Sequence, residues 1–322
     1  AHELGTVIQN IRDKFEVRGE ICIETNPGDL DGNILRILKE NGVTLISIGV
    51  QSFNRNCLKA LGRNYSSNQA LSAVKLALSA NFKSVNIDLM FALPGQDTSD
   101  ILHDLDKAVN LGATQITNYP LFTFPYSVVG RYLKIKRVKM PNFTRRRRMF
   151  KQIYDFLVNK GYRRVSVWGF EKGNLPTYSS VTRDNYIGIG AGACSNLPRI
   201  FYLNTFSVRD YIETVAKGKL PVSAAMDITP GLRKYYWLYW RFYDTRIDKQ
   251  QFKAVFGTSR LWHAIFGVMK ALHLCTENQG QIQLGERGAF YIHLLQNYFV
   301  LNYINKVWTA ALAEAWPQKI EI

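Results

Sequence analysis

The chain has 322 residues, 47% of them hydrophobic and 13% aromatic, enough for one large core plus a smaller domain and too apolar for a disordered segment. Its formal charge of +16 favours an anionic partner, whether nucleic acid, a membrane surface or a polycarboxylate substrate. Apolar runs are broken by charge before membrane-spanning length and no signal peptide is visible at the N-terminus, so a globular cytoplasmic protein is expected. Cys22, Cys57, Cys194 and Cys275 lie far apart and form no CxxC pair, which points neither to a disulfide framework nor to a local metal site.

Leu4, Val7, Ile8, Ile11 and Phe15 recur at helical spacing, so the chain opens on an amphipathic helix. Glu20 to Glu24 alternates as a strand, and Asn26-Pro27-Gly28-Asp29 stops it, leaving Asp29 or Asp31 to cap a helix that runs to about Asn41. The same grammar then repeats. Leu45 to Val50 reads as a strand, followed by helices near 54–61 and 67–80; Ser84 to Phe91 is a strand closed by Leu93-Pro94-Gly95, with a helix from about Ser99 to Leu111. Gln115 to Leu121 is a strand before a long loop, Phe143 to Asn159 a basic helix, and Arg164 to Trp168 a fifth strand.

Strands alternating with helices imply βαβ crossovers and a parallel sheet, open or curved into a full or partial barrel. In such barrels chemistry collects at the C-terminal ends of the strands. Glu24, Gln51, Asp88, Tyr119 and Trp168 all fall at or near those ends. Singly, each has an ordinary reading as a turn cap, loop tie or ion-pair partner; convergence on one rim makes them a candidate site.

Beyond about residue 205 the pattern changes. Pro230 to Tyr243 is an aromatic-rich helix, Asp248 to Phe256 and Arg260 to Leu272 are two more, a hairpin with Asn278-Gln279-Gly280 as its turn spans Leu274 to Leu284, and a long helix begins near Glu286. Three helices and a short hairpin suggest a winged-helix-like accessory domain, which in a basic protein invites a DNA-binding reading. Nucleic acid is weighed lower, because the aromatic stripe suits core or interface and no compact recognition helix carries the charge. That charge concentrates at Lys134, Lys136, Arg137, Lys139 and Arg145-Arg146-Arg147-Arg148, either an anion-attracting patch or a solvated helix face. His2, His103, His263, His273 and His293 are too dispersed for a metal pattern, and no Ser/His/Asp or Cys/His arrangement is evident.

Four blocks in order, Glu24-Thr25-Asn26-Pro27, Gly49-Val50-Gln51-Ser52-Phe53, Leu61-Gly62-Arg63 and Asp88 to Gln96, resemble the oxygen-independent coproporphyrinogen III oxidase (HemN-like) family of radical S-adenosylmethionine proteins. The likeness covers roughly residues 1 to 200 well and the remainder loosely. It implies an α/β fold: a partial parallel (β/α) barrel over 1–204 that lacks its first strand and cluster loop, with a mainly helical, winged-helix-like domain over 205–322. The implied cofactors are S-adenosylmethionine and a 4Fe–4S cluster that reduces the sulfonium to release a 5′-deoxyadenosyl radical, while the protein binds, orients and excludes water. By motif matching Glu24, Gln51, Arg63 and Asp88 resemble the family's residues for S-adenosylmethionine, with Arg63 to pair a carboxylate and Glu24 and Asp88 to accept from hydroxyl or amine.

Tyr186-Ile187-Gly188-Ile189-Gly190-Ala191-Gly192-Ala193-Cys194-Ser195 resembles the family's Gly-rich segment near substrate or a second S-adenosylmethionine. Cys194 and Ser195 are therefore candidate pocket residues, and Cys194 also reads as a small buried side chain. The resemblance further implies a porphyrinogen or other large anionic substrate and an electron-donor protein. The family's named reaction is oxidative decarboxylation of coproporphyrinogen III; relatives with the same motifs act in haem trafficking (HemW-like) or as methyltransferases on aromatic substrates.

One departure is large. The family's CxxxCxC cluster motif, whose thiolates hold the iron, and the Gly-rich block after it do not occur in this sequence. The expectation is that the chain is the C-terminal portion of such an enzyme and inactive alone; a homologue that lost the cluster is the alternative.

Overall fold

The computed structural model describes residues 2–124, 130, 140–181 and 183–320. They pack as two compact units, Ala1–Thr123 with Ser127–Ser180, and Phe124–Tyr126 with Val181–Ile322.

The first unit begins with helix α1 (His2–Lys14) and is built on strands β1 (Cys22–Thr25), β2 (Leu45–Gln51), β3 (Ser84–Phe91) and β4 (Gln115–Pro120), which lie parallel in that order. Helices α2 (Gly32–Glu40), α3 (Arg55–Ala60), α4 (Ser67–Ser79) and α5 (Thr98–Leu111) form the crossovers. Their ends follow local chemistry. The Asp31 carboxylate accepts the Ile34 amide at 2.7 Å, capping boxes at Ser66/Gln69 and Asp97/Asp100 start α4 and α5, and Gly112 closes α5 at φ 89°.

The two faces of this sheet differ, and the difference makes the site. On one parity Ile46, Ile48 and Val50 of β2 and Val85, Ile87, Leu89 and Phe91 of β3 are buried, with α4 and α5 packed on them. On the other parity the register aligns Glu24, Ser47, Asn86 and Gln115 in one row across four strands, with Asp88 and Thr117 in the next. A parallel sheet sealed by helices on both faces is apolar on both. The second face of this sheet is instead polar.

The expected fifth strand over Arg164 to Trp168 is corrected. After α6 (Phe143–Asn159) the chain forms β5 (Arg163–Arg164) and β6 (Gly169–Glu171), with β6 antiparallel to β4 and β5 antiparallel to β6. The Ser166 hydroxyl accepts the Gly169 amide at 2.9 Å, a local turn that interrupts the stretch and reverses it. Serine offers the backbone this alternative to a ladder.

The second unit opens with an antiparallel sheet that apolar alternation does not announce: β7 (Cys194–Asn196), β8 (Ile200–Asn204) and β9 (Val222–Asp227), with α7 (Val208–Ala216) between the last two. Its strands are short and β9 reads Val-Ser-Ala-Ala-Met-Asp. Then follow α8 (Pro230–Tyr243), β10 (Arg246–Asp248), α9 (Lys249–Phe256), α10 (Arg260–Ala271), β11 (Cys275–Asn278) and β12 (Gln281–Leu284). The three strands pair antiparallel in the order β10-β12-β11, the helix-strand-helix-helix-strand-strand order of a winged helix. Gln279 at φ 47° and Gly280 at φ 75° give the hairpin turn the two left-handed residues that match strand twist. Leu238, Ile247, Phe252, Phe266, Ile282 and Leu284 form its core. Helix α11 (Glu286–Phe299) passes through a π-turn at Val300–Ile304 into α12 (Asn305–Ala313).

Candidate functional site

The site starts where β2 ends. Gln51 has φ 64°, a left-handed conformation that costs a non-glycine residue about 1–3 kcal/mol and persists only when its surroundings impose it. Several groups do. The buried Tyr65 hydroxyl donates to the Gly49 carbonyl at 2.6 Å and reaches that of Val50 at 3.1 Å. The buried Asp104 carboxylate on α5 accepts the Ser52 hydroxyl at 2.5 Å and the Phe53 amide at 2.8 Å. Burial first of all pushes the Asp104 carboxyl up to about 6, against the pull of those two donors.

Held this way, the Gln51 amide folds back over Gly49, where an added Cβ would stand 2.8 Å from Nε2. Its Oε1 accepts the Tyr119 hydroxyl at 2.7 Å. A side chain at position 49 would displace the Gln51 amide from this place.

Asp88 stands in the middle of the polar face. It accepts the Ser47 hydroxyl at 2.9 Å and the Asn86 amide at 2.8 Å, and Asn86 also donates to Ser47 and accepts from Thr117 at 3.0 Å. Burial chiefly, and the nearby Glu24 charge in part, raise its carboxyl from the ordinary 3.8 to about 6. Glu24 lies on β1, the exposed edge strand, and accepts the hydroxyl of the buried Tyr178. Arg63 is half-buried, its guanidinium 3.4 Å from the Asn26 side chain; burial and then the Asp88 charge raise the nearby Tyr119 phenol, and Arg63 only partly offsets them. Among the described residues no carboxylate pairs with Arg63, leaving a cation available to a ligand.

Four predicted residues, Glu24, Gln51, Arg63 and Asp88, thus share one rim, together with Tyr119. Cys194 lies elsewhere, on β7 of the second compact unit. It is half-buried, burial raises its thiol, and its carbonyl would stand 2.1 Å from a Cβ added at Gly188. Ser195 is buried beside it and accepts the Gly188 amide at 2.9 Å. Trp168 precedes β6; its carbonyl accepts the Asn118 amide and its ring meets Phe122 edge-on. Lys134, Lys136, Arg137 and Lys139 lie outside the described residues. Arg145 to Arg148 occupy the start of α6, where Arg145 donates to the Gln96 carbonyl at 2.9 Å and Arg146 is half-buried.

Tyr65, Gln115 and Tyr178 carry no local pattern that sets them apart in the sequence. Only Asp104, an acidic residue on the buried stripe of α5 with Ile101, Leu105 and Ala108, offers a signal, because a carboxylate at a core position needs a partner.

Among the described residues no three His, Cys, Asp or Glu side chains are grouped to hold a metal ion. Cys22 is exposed, Cys57 and Cys275 are buried, Cys194 is half-buried, and burial raises all four thiols. Cluster ligation needs thiolates, so the residues present do not fit an iron–sulfur cluster. Nor is any helix among them long and apolar enough to cross a membrane.

Residues 3–108 match the family model described as Radical SAM superfamily. The chain is 31% identical to the "Heme chaperone HemW" of Lactococcus lactis over 68% of its own length and 59% of that protein. It is 27% identical to the "Anaerobilin synthase" of Escherichia coli O157:H7 over 70% of its length and 52% of that protein. Its fold superposes on the coproporphyrinogen III oxidase (HemN) of Escherichia coli, described as a radical SAM enzyme, with TM-score 0.73 and 17% identity, covering 92% of this chain and 74% of that one. The chain spans about half the length of the curated relatives it matches.

Proposed function

We propose that the rim formed by β1 to β4 binds S-adenosylmethionine for chemistry on a porphyrin-type substrate, a reading supported by the match of residues 3–108 to the radical SAM model and by the HemN-type fold. The observation that carries this reading is the convergence of Glu24, Gln51, Arg63, Asp88 and Tyr119 on the polar side of an otherwise apolar parallel sheet. The residues fit that ligand. Arg63 would pair with its carboxylate, Glu24 and Asp88 would accept from ribose hydroxyls or the amine, and the close approach of Gln51 to Gly49 supplies a cradle that a Cβ would fill. Cys194 and Ser195 are proposed as lining for a substrate or second-ligand pocket of the second unit.

Bound S-adenosylmethionine supplies a sulfonium and an adenosyl group. The chain's own residues bind and orient them and keep water out. The 4Fe–4S cluster of the family finds no ligand set here, and no step is assigned to it. Oxidative decarboxylation of coproporphyrinogen III, with an electron-donor protein, is proposed as the reaction type of the whole protein. A haem-binding role is the second reading, favoured by the 31% identity to a haem chaperone; methyl transfer to an aromatic substrate has no comparable support.

Calorimetric titration of the chain with S-adenosylmethionine tests the site. Saturable binding at one ligand per chain is expected, and absence of both heat and thermal shift overturns the assignment. Soret-band titration with haem separates the readings: stoichiometric binding supports the haem-binding role, and no spectral change removes it.

A further inference from the structure

The segment between β6 and the end of the first unit, residues 172–180, contains no helix or strand, yet one of its side chains, Tyr178, is buried to 5% exposure. A loop of this kind must satisfy its backbone groups without a ladder. The side chain of Gln115 does so: its Nε2 donates to the Tyr178 carbonyl and its Oε1 accepts the Tyr178 amide, both at 2.8 Å. Gln115 is itself buried, and it stands in the same cross-strand row as Glu24, Ser47 and Asn86. With its backbone gripped at both polar atoms, Tyr178 has one remaining donor, the phenol, and that donor meets the Glu24 carboxylate.

We propose that Tyr178 is a positioning residue for ligand binding at this rim: it holds the Glu24 carboxylate in one orientation, and Gln115 holds Tyr178. This rests on the reading of Glu24 as a ligand-binding group. Glu24 needs such a device because it lies on the exposed edge strand, where a carboxylate with rotamer freedom would lose entropy on binding. Tyrosine suits the task. Burial and the Glu24 charge both raise its phenol, so it remains a protonated donor across the physiological range, and a hydrogen bond to a charged acceptor is of the stronger kind. The mechanism is preorganisation: the ordering of the carboxylate is completed during folding, before the ligand arrives.

The test measures S-adenosylmethionine binding to the full chain and to Tyr178→Phe, which keeps the ring and removes one oxygen. Affinity is expected to fall about ten-fold, with far-UV spectrum unchanged. In a Glu24→Ala background the same change is expected to alter affinity by less than about two-fold, since coupled groups are non-additive. Equal loss in both backgrounds, or none in either, overturns the role. Gln115→Leu, which removes the backbone grip and leaves the phenol, is expected to weaken binding in the same direction and decides the matter if Tyr178→Phe does not fold. A second readout needs no ligand. The Glu24 carboxyl 13C resonance, assigned by its disappearance in Glu24→Ala, is expected to shift in Tyr178→Phe, and an unmoved resonance refutes the pairing. If the parent chain binds no S-adenosylmethionine while that resonance moves, the ligand assignment has failed and the Tyr178–Glu24 pairing stands.

Discussion

The Tyr119 hydroxyl donates to Gln51 Oε1 at 2.7 Å, tying the end of β4 to the end of β2 across 68 positions of sequence. The bond lets the sheet hold a left-handed Gln51 that the local sequence alone disfavours. Tyr119→Phe removes it and keeps the ring. The expected result is a loss of about 1 kcal/mol in stability and about five-fold weaker S-adenosylmethionine binding. Urea unfolding and calorimetry measure the two, and unchanged affinity would show that Gln51 needs no help from β4.

Asp88 makes stability fall with pH over a defined window. Its carboxyl is raised to about 6, mainly by burial, whereas an unfolded chain titrates near 4. Between those values the folded state holds a proton that the unfolded state has released, so this contribution is complete below about pH 4 and is lost as pH climbs through 6. Asp88→Asn removes the titration. Relative to the parent it is expected to gain of the order of 1–2 kcal/mol from pH 4 to pH 7, less than the full shift because the carboxylate is only part-buried. It should also bind S-adenosylmethionine poorly, as expected when a strained functional group is traded for stability. Chemical unfolding across pH reads the first effect. A parallel pair of curves for parent and variant would refute it.

Asp104, raised to about 6 by burial, supports the loop from the helix side. Asp104→Ala leaves the Ser52 hydroxyl and Phe53 amide without their buried acceptor, and a loss of about 2–3 kcal/mol is expected. Thermal unfolding reads the loss directly, and proteolysis near Gln51 should speed up in parallel.

Gly49→Ala puts a methyl where the Gln51 amide rests, 2.8 Å from Nε2. The obstacle is the far end of a flexible side chain, so the fold should tolerate it, with a stability change within about 1 kcal/mol. Ligand affinity should still drop, because Gln51 can no longer lie in its place. A variant that unfolds would show instead that Gly49 is structural.

Gly188→Ala gives the opposite balance. Its Cβ would meet the Cys194 carbonyl at 2.1 Å, and backbone cannot swing aside as a side chain can. A loss of about 2–4 kcal/mol is expected, and hydrogen exchange should place it around β7 and β8.

Much of this molecule is determined locally. Period-two alternation over Leu45–Gln51 and Ser84–Phe91, the caps at Asp31, Ser66 and Asp97, and the helical period of Phe143–Asn159 mark their elements because each depends on residues a few positions apart. The ordered motifs likewise single out Glu24 and Gln51, which lie at or beside the ends of β1 and β2, Asp88 within β3, and Arg63 in the loop between α3 and α4. The stretch 164–168 misled because a Ser166 turn competes with an apolar run that looks extended. The three strands over 194–227 stayed hidden because short, half-exposed antiparallel strands carry little alternation. What only the tertiary structure decided is which side chains complete the rim: Tyr65 under Gly49, Asp104 under Ser52, Tyr119 on Gln51 and Tyr178 on Glu24, the last pair 154 positions apart. Such contacts depend on register across the sheet and on the path of a loop, neither of which is encoded in the residues adjacent to either partner. The period of a strand tells which way a side chain points, and the packing of the sheet tells what it meets.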